Sequence, residues 1–137
     1  MKTITHEFLS SLRGFSCVGR PEDISLIKKA EAELGLSFSD DYKALAAQYG
    51  AISYRGHNLS GISPYPGNDV VALTKENRTY NSEIPMNFYV VEEAHIDGIV
   101  IWQDSSGHIY QTQPNSKPRL IFDCLYDYIA QGENMAV

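Results

Sequence analysis

Four histidines are the residues best suited to bind a metal, and one of them has a carboxylate at ligand spacing. His95 lies two positions before Asp97, and a His-x-Asp pair on a loop or strand can supply two ligands. A third ligand would have to come from another part of the fold, because the sequence contains no His-Glu-x-x-His motif. The pair alone therefore predicts neither a metal site nor any other bound cofactor.

Nucleophilic and acidic residues are present, but none stands in a recognisable catalytic motif. Cys17 and Cys124 lack a cysteine-protease signature, and no serine lies in a Gly-x-Ser-x-Gly motif. The glycines form neither Gly-x-Gly-x-x-Gly nor a phosphate-binding loop. Glu92, Glu93 and Asp104 follow predicted strands, yet Asp104 is more typical of a turn residue that binds its own backbone. We therefore expect a protein that is not an enzyme.

Helical periodicity of apolar residues dominates the first part of the chain. Pro21 opens the strongest helix, because proline costs nothing at the first helical position, and Gly35 ends it. Ser39 is the predicted N-cap of the following helix, which ends at Gly50. These two helices, joined by a short link, form a helical hairpin. The predicted helices of this part comprise residues 8–12, 21–34, 40–49 and 70–78.

From residue 88 onward the pattern changes to β. Residues 88–91 and 99–103 are predicted strands, and the second is apolar on both sides and therefore central. Residues 104–107 form a hairpin turn, with glycine where a positive φ is needed, and residues 108–112 return as the partner strand. Residues 121–129 have a helical period. The order predicts an α+β fold with an N-terminal helical hairpin, an antiparallel β-sheet and a C-terminal helix packed on the sheet.

Length and composition fit one globular domain. A chain of 137 residues has room for one core, with residues 1–20 as an N-terminal helix and loop. A hydrophobic fraction of 43% with 20% charged residues argues against disorder. The net charge of −6 disfavours direct binding of nucleic acid, because an acidic face repels phosphates, but it suits a basic protein surface. An equal alternative is that this charge only keeps the domain soluble.

The same sequence points to the cytoplasm. The two cysteines lie far apart and form no Cys-x-x-Cys motif, which fits a reducing compartment better than a disulfide framework. The N-terminal residues lack the apolar core of a signal peptide. No apolar run approaches the roughly 20 residues that span a bilayer, so we expect no membrane partner.

Aromatic residues are the most suggestive feature for binding. The chain has nine tyrosines and one tryptophan. Tyr54, Tyr65 and Tyr80 lie in or beside predicted loops, where a tyrosine supplies a large contact area to a protein partner at low entropic cost. Packing of Tyr54 against the sheet edge is at least as good an interpretation, and Trp102 is assigned to the core. With acidic residues nearby, the predicted contact residues are Tyr65, Asp69, Glu92, Glu93 and Asp97.

A set of short motifs occurs in a fixed order along most of the chain. The motifs are Glu31-Ala32-Glu33-Leu34-Gly35, Phe38, Asp41-Tyr42-Lys43, Tyr49-Gly50, Val70-Val71, Thr74, Arg78, Pro85, Phe88-Tyr89-Val90-Val91, the hairpin at residues 104–110 and the helix at residues 121–129. This ordered set resembles the SUKH superfamily, the Smi/Knr cell-wall-regulator type. The resemblance covers residues 21–130. It departs from the family pattern at Ser39, where proline is usual, and at residues 48–51, which lack an asparagine and a second glycine.

The resemblance implies a non-enzymatic fold that serves widely as bacterial immunity proteins. Such a protein binds and neutralises a cognate polymorphic toxin domain, and many of these toxins are nucleases. A nuclease grips phosphates with Lys and Arg, so a basic toxin domain is the expected partner of this acidic chain.

Two rival interpretations stay open. Other relatives regulate cell-wall assembly, so an adaptor that binds an endogenous protein is the main alternative. A ligand-binding or enzymatic pocket near His95, Asp97 and Asp104 is the lesser one. Nothing in the sequence indicates the oligomeric state.

Overall fold

The computed structural model describes residues 2–114 and 116–134, and over this part of the chain it contains five α-helices and seven β-strands. None of these helices combines the length and apolarity that crossing a membrane requires. The helices are α1 (His6–Ser10), α2 (Ser25–Leu34), α3 (Asp40–Tyr49), α4 (Val70–Tyr80) and α5 (Leu125–Asn134). The strands are β1 (Ser16–Cys17), β2 (Ile52–Tyr54), β3 (His57–Leu59), β4 (Phe88–Glu93), β5 (Val100–Asp104), β6 (Ile109–Thr112) and β7 (Arg119–Phe122).

The helix ends follow from local side-chain chemistry. The Ser39 hydroxyl accepts a hydrogen bond from the Tyr42 backbone N–H and so caps α3, as the sequence predicts. Asp69 caps α4 in the same way through the Ala72 N–H. Gly35 ends α2 in the left-handed conformation, with a φ of 70°, which a glycine adopts without steric cost.

The strands form two antiparallel sheets, one from β1–β3 and one from β4–β7. The first has the strand order β1-β2-β3 and the second the order β4-β5-β6-β7. The Ser60 N–H, directly after β3, donates to the Val91 carbonyl of β4 at 2.7 Å, which joins the two sheets. The predicted class, α+β with an N-terminal helical hairpin, antiparallel sheet and C-terminal helix, is confirmed.

The second sheet is covered on both faces. Tyr89 and Val91 of β4 point into the main core, which includes residues of α2, α3 and α5. Phe88 and Val90 point the other way and pack with Trp102 and with Leu73 of α4 in a smaller cluster. Each face of this strand therefore buries apolar side chains, and Trp102 is in the core as predicted.

A β-bulge interrupts the alternation in β4. Val90 pairs with Trp102, but Glu92 pairs with the very next residue of β5, Ile101, so Val91 is an extra residue. In a regular strand, Glu92 would share the α4 face with Val90. The bulge places Glu92 on the main-core face instead, and Glu93 turns toward Asn77 of α4.

Two helices begin four residues later than the sequence predicts. The helix expected from Pro21 begins at Ser25, because the Asp23 carboxylate accepts the Ser25 N–H at 2.9 Å and forms a turn ahead of it. The helix expected over residues 121–129 begins only at Leu125. Residues Arg119–Phe122 instead form β7, paired with β6, because hydrogen bonding to an existing strand outweighs a helical pattern of apolar residues.

Candidate partner-binding surface

A groove of about 780 Å³ lies between one face of α2 and the segment that leads into α4. We call it the α2 groove. Helix α2 contributes residues spaced three and four apart, which places them on one face. Residues 18–22 and 62–65 supply much of the remaining lining. The residues from α2 are Leu26, Lys29, Ala30 and Glu33, and Asp69 and Val71 come from the start of α4.

Tyr65 projects at the rim of the α2 groove. Its side chain is 63% exposed, and its backbone N–H donates to the Ser63 hydroxyl at 3.1 Å. The 3-10 turn Pro66–Asn68 follows directly and fixes the path of the chain into α4. The ring is therefore presented to solvent by an ordered loop, which suits an anchor residue of a protein interface.

Asp69 shapes the same wall of the groove. One carboxylate oxygen accepts the Ser63 N–H and the other accepts the Ala72 N–H, each at 3.2 Å. The negative charge stays near the rim while both oxygens are held by the backbone. Tyr65 and Asp69 are thus two predicted contact residues that the structure does bring together.

The charges around the groove are mixed. Arg20, Lys29 and Glu22 are exposed, while Glu33 forms an ion pair with Lys75 of α4 at 3.3 Å. Together with Asp69, the lining carries two cations and three carboxylates. Such a rim around apolar walls resembles an interface with a polar border and an apolar centre.

Glu92 lies inside the protein, so the prediction that it contacts a partner at the surface is wrong. It is only 5% exposed, since the bulge in β4 turns it toward α5. Its carboxylate accepts the Asn58 N–H and lies 3.1 Å from Nδ1 of His57. The Tyr128 hydroxyl of α5 donates to it as well. Glu92 therefore joins β3, β4 and α5 instead of facing a partner.

Tyr128 donates its hydroxyl hydrogen bond to the same carboxylate. Burial and the neighbouring Glu92 together raise the pKa of the Tyr128 hydroxyl far above its ordinary value. The hydroxyl therefore stays protonated and continues to donate to Glu92 over the whole physiological pH range.

Glu93 and Asp97 lie away from the α2 groove. Glu93 is half-buried and accepts a hydrogen bond from the Asn77 amide at 2.8 Å. It lines a separate pocket of about 280 Å³ with His95. Asp97 is exposed in the loop between β4 and β5, where His95 and Asp97 both have positive φ values, 58° and 53°. The five predicted contact residues therefore do not lie together on one surface of the protein.

His95 and Asp97 have no third metal ligand beside them in the part of the chain that the structure describes. Among the residues that the structure describes, no cluster of three or more His, Cys, Asp or Glu side chains is arranged to hold a metal ion. Asp104, the third residue of the predicted ligand pocket, accepts the Ser106 and His108 N–H groups, each at 3.0 Å. It is the turn residue that its sequence context favours.

Sequence reasoning missed the α2 wall of the groove. Leu26, Lys29, Ala30 and Glu33 alternate in polarity, so they do not form an apolar stripe that marks a binding face. The sequence does contain one weak indication of the groove. Tyr65 lies between two prolines in a polar loop, where packing alone does not require an aromatic side chain.

The family model described as SMI1-KNR4 cell-wall, SUKH_6, matches residues 24–129. This range begins at the start of α2 and ends within α5, so it includes every strand except β1. It also includes α2 and the segment that leads into α4, whereas residues 18–22 of the groove lining lie before it. The search of curated proteins found no match. The family match confirms the resemblance carried by residues 21–130, and the chain therefore belongs to the SUKH superfamily, in its SMI1-KNR4 family.

Proposed function

We propose that this protein is an immunity protein: it binds a cognate toxin domain through the α2 groove and blocks it without catalysis. The observation that carries the proposal is a preformed groove lined by both apolar and charged residues, with an exposed Tyr65 at its rim, on a domain of this family. The expected partner is a basic nuclease domain. The protein acts in the cytoplasm, where the toxin would meet its nucleic-acid substrate.

In the proposed complex, the net charge of the protein and the shape of the α2 groove affect different steps of binding. The net charge of −6 attracts a basic toxin over a distance of about one Debye length, roughly 8 Å at physiological salt, and so raises the association rate. The mixed rim of the groove then selects the partner, and Tyr65 supplies buried contact area that slows dissociation.

Calorimetry with the toxin-like domain encoded beside this gene tests the proposal. We expect a one-to-one complex of nanomolar affinity that abolishes the toxicity of the domain. Tyr65→Ala should weaken binding by about tenfold or more, as the loss of an interface anchor does. Tyr80→Ala is the matched control, because Tyr80 is 70% exposed but lies outside the α2 groove, at the C-terminal end of α4.

A pair of charge reversals separates local contact from general steering. Glu22→Lys at the groove and Asp97→Lys in the β4–β5 loop change the net charge equally. Both should lower the association rate at low salt, whereas only Glu22→Lys should also raise the dissociation rate. Equal dissociation rates for the two variants would show that the groove is not part of the interface. That result would not contradict electrostatic steering by the net charge.

A regulatory adaptor is the second candidate, favoured by the cell-wall description of the matching family. It would use the same groove for an endogenous protein. Failure of the neighbouring domain to bind, or a gene with no toxin-like neighbour, would favour this candidate over immunity.

A further inference from the structure

The pocket of about 280 Å³ that contains Glu93 lies between α4 and the second sheet. We call it the Glu93 pocket. Among the residues that the structure describes, it shares no lining residue with the α2 groove. Its volume is below the range of about 300–1,000 Å³ that is typical for drug-sized ligands, so a ligand there has few heavy atoms.

The floor of the Glu93 pocket is a row of side chains across three strands. Glu93 pairs with Val100, and Val100 pairs with Thr112, so these side chains share the sheet face that α4 covers. Trp102 lies two residues after Val100 and points to the same face, where its indole N–H donates to the Thr112 hydroxyl at 2.9 Å. The row therefore places one carboxylate beside apolar and aromatic surface.

The Glu93 carboxylate has no positive partner among the described residues. It is half-buried, and neither a lysine nor an arginine lines the described part of the pocket. His95 also lines the pocket, but it is exposed and forms no ion pair with Glu93 in the part of the chain that the structure describes. A carboxylate that is partly removed from water is stabilised by a cation. The pocket therefore offers an unneutralised negative charge.

Asn77 supplies a second acceptor next to this carboxylate. Its amide nitrogen donates to the Leu73 carbonyl at 2.9 Å and to Oε2 of Glu93 at 2.8 Å. Because both partners are acceptors, the nitrogen must face them, and the amide oxygen is left over. That oxygen and Oε1 of Glu93 accept no hydrogen bond from the described residues, and neither is sealed from solvent. Two adjacent acceptors favour a ligand with several N–H donors.

Tyr80 and the β4–β5 loop form further walls of the pocket. Tyr80 lies one turn after Asn77 on α4 and is 70% exposed. Gly98 of the loop packs against Pro114, since a Cβ atom on Gly98 would lie 2.7 Å from the proline ring. An aromatic ring near a carboxylate suits a cation, because the face of the ring attracts positive charge.

We infer that the Glu93 pocket binds a small alkylguanidinium ligand, with the guanidinium at Glu93 and Asn77 and the apolar stem on Val100 and Trp102. A guanidinium presents its N–H donors in a planar fork, which can meet acceptors on two neighbouring groups, and it stacks on aromatic rings. The inference goes beyond the proposed function and does not depend on it. The ligand is a free molecule, since the pocket is separate from the proposed toxin interface.

An amide NMR titration of the full chain with butylguanidinium chloride tests the inference. Butan-1-ol and sodium pentanoate are the comparison probes, because they carry the same butyl chain. We expect saturable one-to-one binding of butylguanidinium, about tenfold weaker binding of butan-1-ol and no binding of pentanoate. The shifts should fall on residues 77–81, 93–102 and 112–113. Equal affinity for butylguanidinium and butan-1-ol, or shifts confined to other residues, would overturn the inference.

Glu93→Gln tests the charge, because glutamine keeps the size of the side chain and an acceptor for Asn77. It should lower the affinity for butylguanidinium by about tenfold and leave that for butan-1-ol unchanged. Asp97→Asn is the matched control: it removes the same charge from the β4–β5 loop, at an exposed residue outside the pocket, and should change the affinity by less than about twofold. Equal losses in the two variants would show that only the overall acidity attracts the ligand, which would contradict the site.

Two changes at Tyr80 test the aromatic wall without disturbing the core. Tyr80→Ala should weaken butylguanidinium binding by about threefold, whereas Tyr80→Phe, which keeps the ring, should not change it. The same affinity in the alanine and phenylalanine variants would contradict stacking of the guanidinium on this ring.

A titration with the toxin domain distinguishes a free ligand from an arginine side chain of the partner. If the ligand is free, Glu93→Gln and Asp97→Asn should affect the affinity for the toxin domain equally, since they remove the same charge. A larger loss in Glu93→Gln would show that the cation belongs to the toxin, and would overturn the assignment to a free molecule. Tyr65→Ala should leave butylguanidinium binding unchanged, so a failed toxin test and a failed ligand test can be told apart.

Discussion

Asp41 is one of the residues that carry the family resemblance, and its contacts are structural. One carboxylate oxygen accepts the Gln103 amide at 3.1 Å, and the other accepts the Leu125 N–H at the start of α5 at 3.2 Å. The Tyr89 hydroxyl donates to Gln103 at 2.8 Å and accepts the Ser39 N–H at 3.0 Å. These residues connect α3, the second sheet and α5. The motif residues Asp41 and Tyr89 therefore hold the fold together.

Replacing Glu92 by glutamine tests the buried carboxylate. Glutamine keeps the size but replaces one acceptor oxygen with an NH₂ group, which must face one of the donors around it. We expect a loss of about 2 kcal/mol in the free energy of unfolding, measured with urea. Glu76→Gln, on the exposed side of α4, should change it by less than about 0.5 kcal/mol. Equal effects would show that Glu92 is not a structural acceptor.

Local signals in the sequence predicted several residues correctly. Ser39 caps a helix, Gly35 ends one and Asp104 binds its own turn, because each effect depends on neighbours within four positions. Glu92 was misplaced, since its direction depends on a bulge that is formed by pairing with β5. Tyr65 is exposed, which its prediction as a contact residue requires, and Tyr54 is buried, which agrees with the interpretation that it packs against the sheet edge.

At the scale of elements, two glycines allow a close approach of backbones. A Cβ atom on Gly61, after β3, would lie 1.9 Å from the Gly50 carbonyl oxygen at the end of α3. A Cβ on Gly50 would in turn lie 2.5 Å from the Gly19 carbonyl oxygen. The helical hairpin, the first sheet and the segment leading to α2 therefore meet where no side chain fits.

Gly61→Ala should be strongly destabilising, because the atom it would strike belongs to the backbone and cannot rotate away. We expect a loss of about 3 kcal/mol in the free energy of unfolding. Gly67→Ala is the control, since a Cβ there meets nothing within 4 Å and the residue has no positive φ. Its effect should lie within about 0.5 kcal/mol of zero. Thermal or urea unfolding of both variants measures the difference.

The type and order of most elements were predictable, but not where two of them begin. The helical hairpin and the β5–β6 hairpin follow from periodicity and turn residues close in sequence. β7 was missed, because residues 119–122 become a strand only through pairing with β6. The α2 groove was missed for the same reason, since its α2 wall ends at Glu33 and the opposite wall begins only at Ile62.

At the scale of the whole molecule, the buried tyrosines Tyr42, Tyr89 and Tyr128 contribute to the response to alkaline pH. Burial raises the pKa of the Tyr42, Tyr89 and Tyr128 hydroxyls above their ordinary value of 10.0. In the unfolded chain these groups lose their protons near pH 10, while in the folded protein they keep them. Above pH 10 the unfolded state therefore binds fewer protons, and the stability falls as the pH rises.

Below about pH 9, the ionisation of these tyrosines should leave the free energy of unfolding almost unchanged. Above pH 10 it should fall by up to about 1.4 kcal/mol per pH unit for each of the three. Tyr128→Phe should reduce this slope by up to about 1.4 kcal/mol per pH unit, whereas Tyr80→Phe, at an exposed position, should leave it unchanged. Urea unfolding at a series of pH values between 8 and 11 gives the slope. The same slope in wild type and Tyr128→Phe would contradict the assignment.

The bulge at Val91 also affects how relatives of this chain should be compared. Val91 and Glu92 are consecutive, yet both face the main core, so a strand lacking the extra residue would still direct its acid inward and its next residue toward α4. In an alignment, a relative with one residue fewer in this strand would therefore take its gap at Val91, and an acid aligned with Glu92 would keep the inward direction that Glu92 has here.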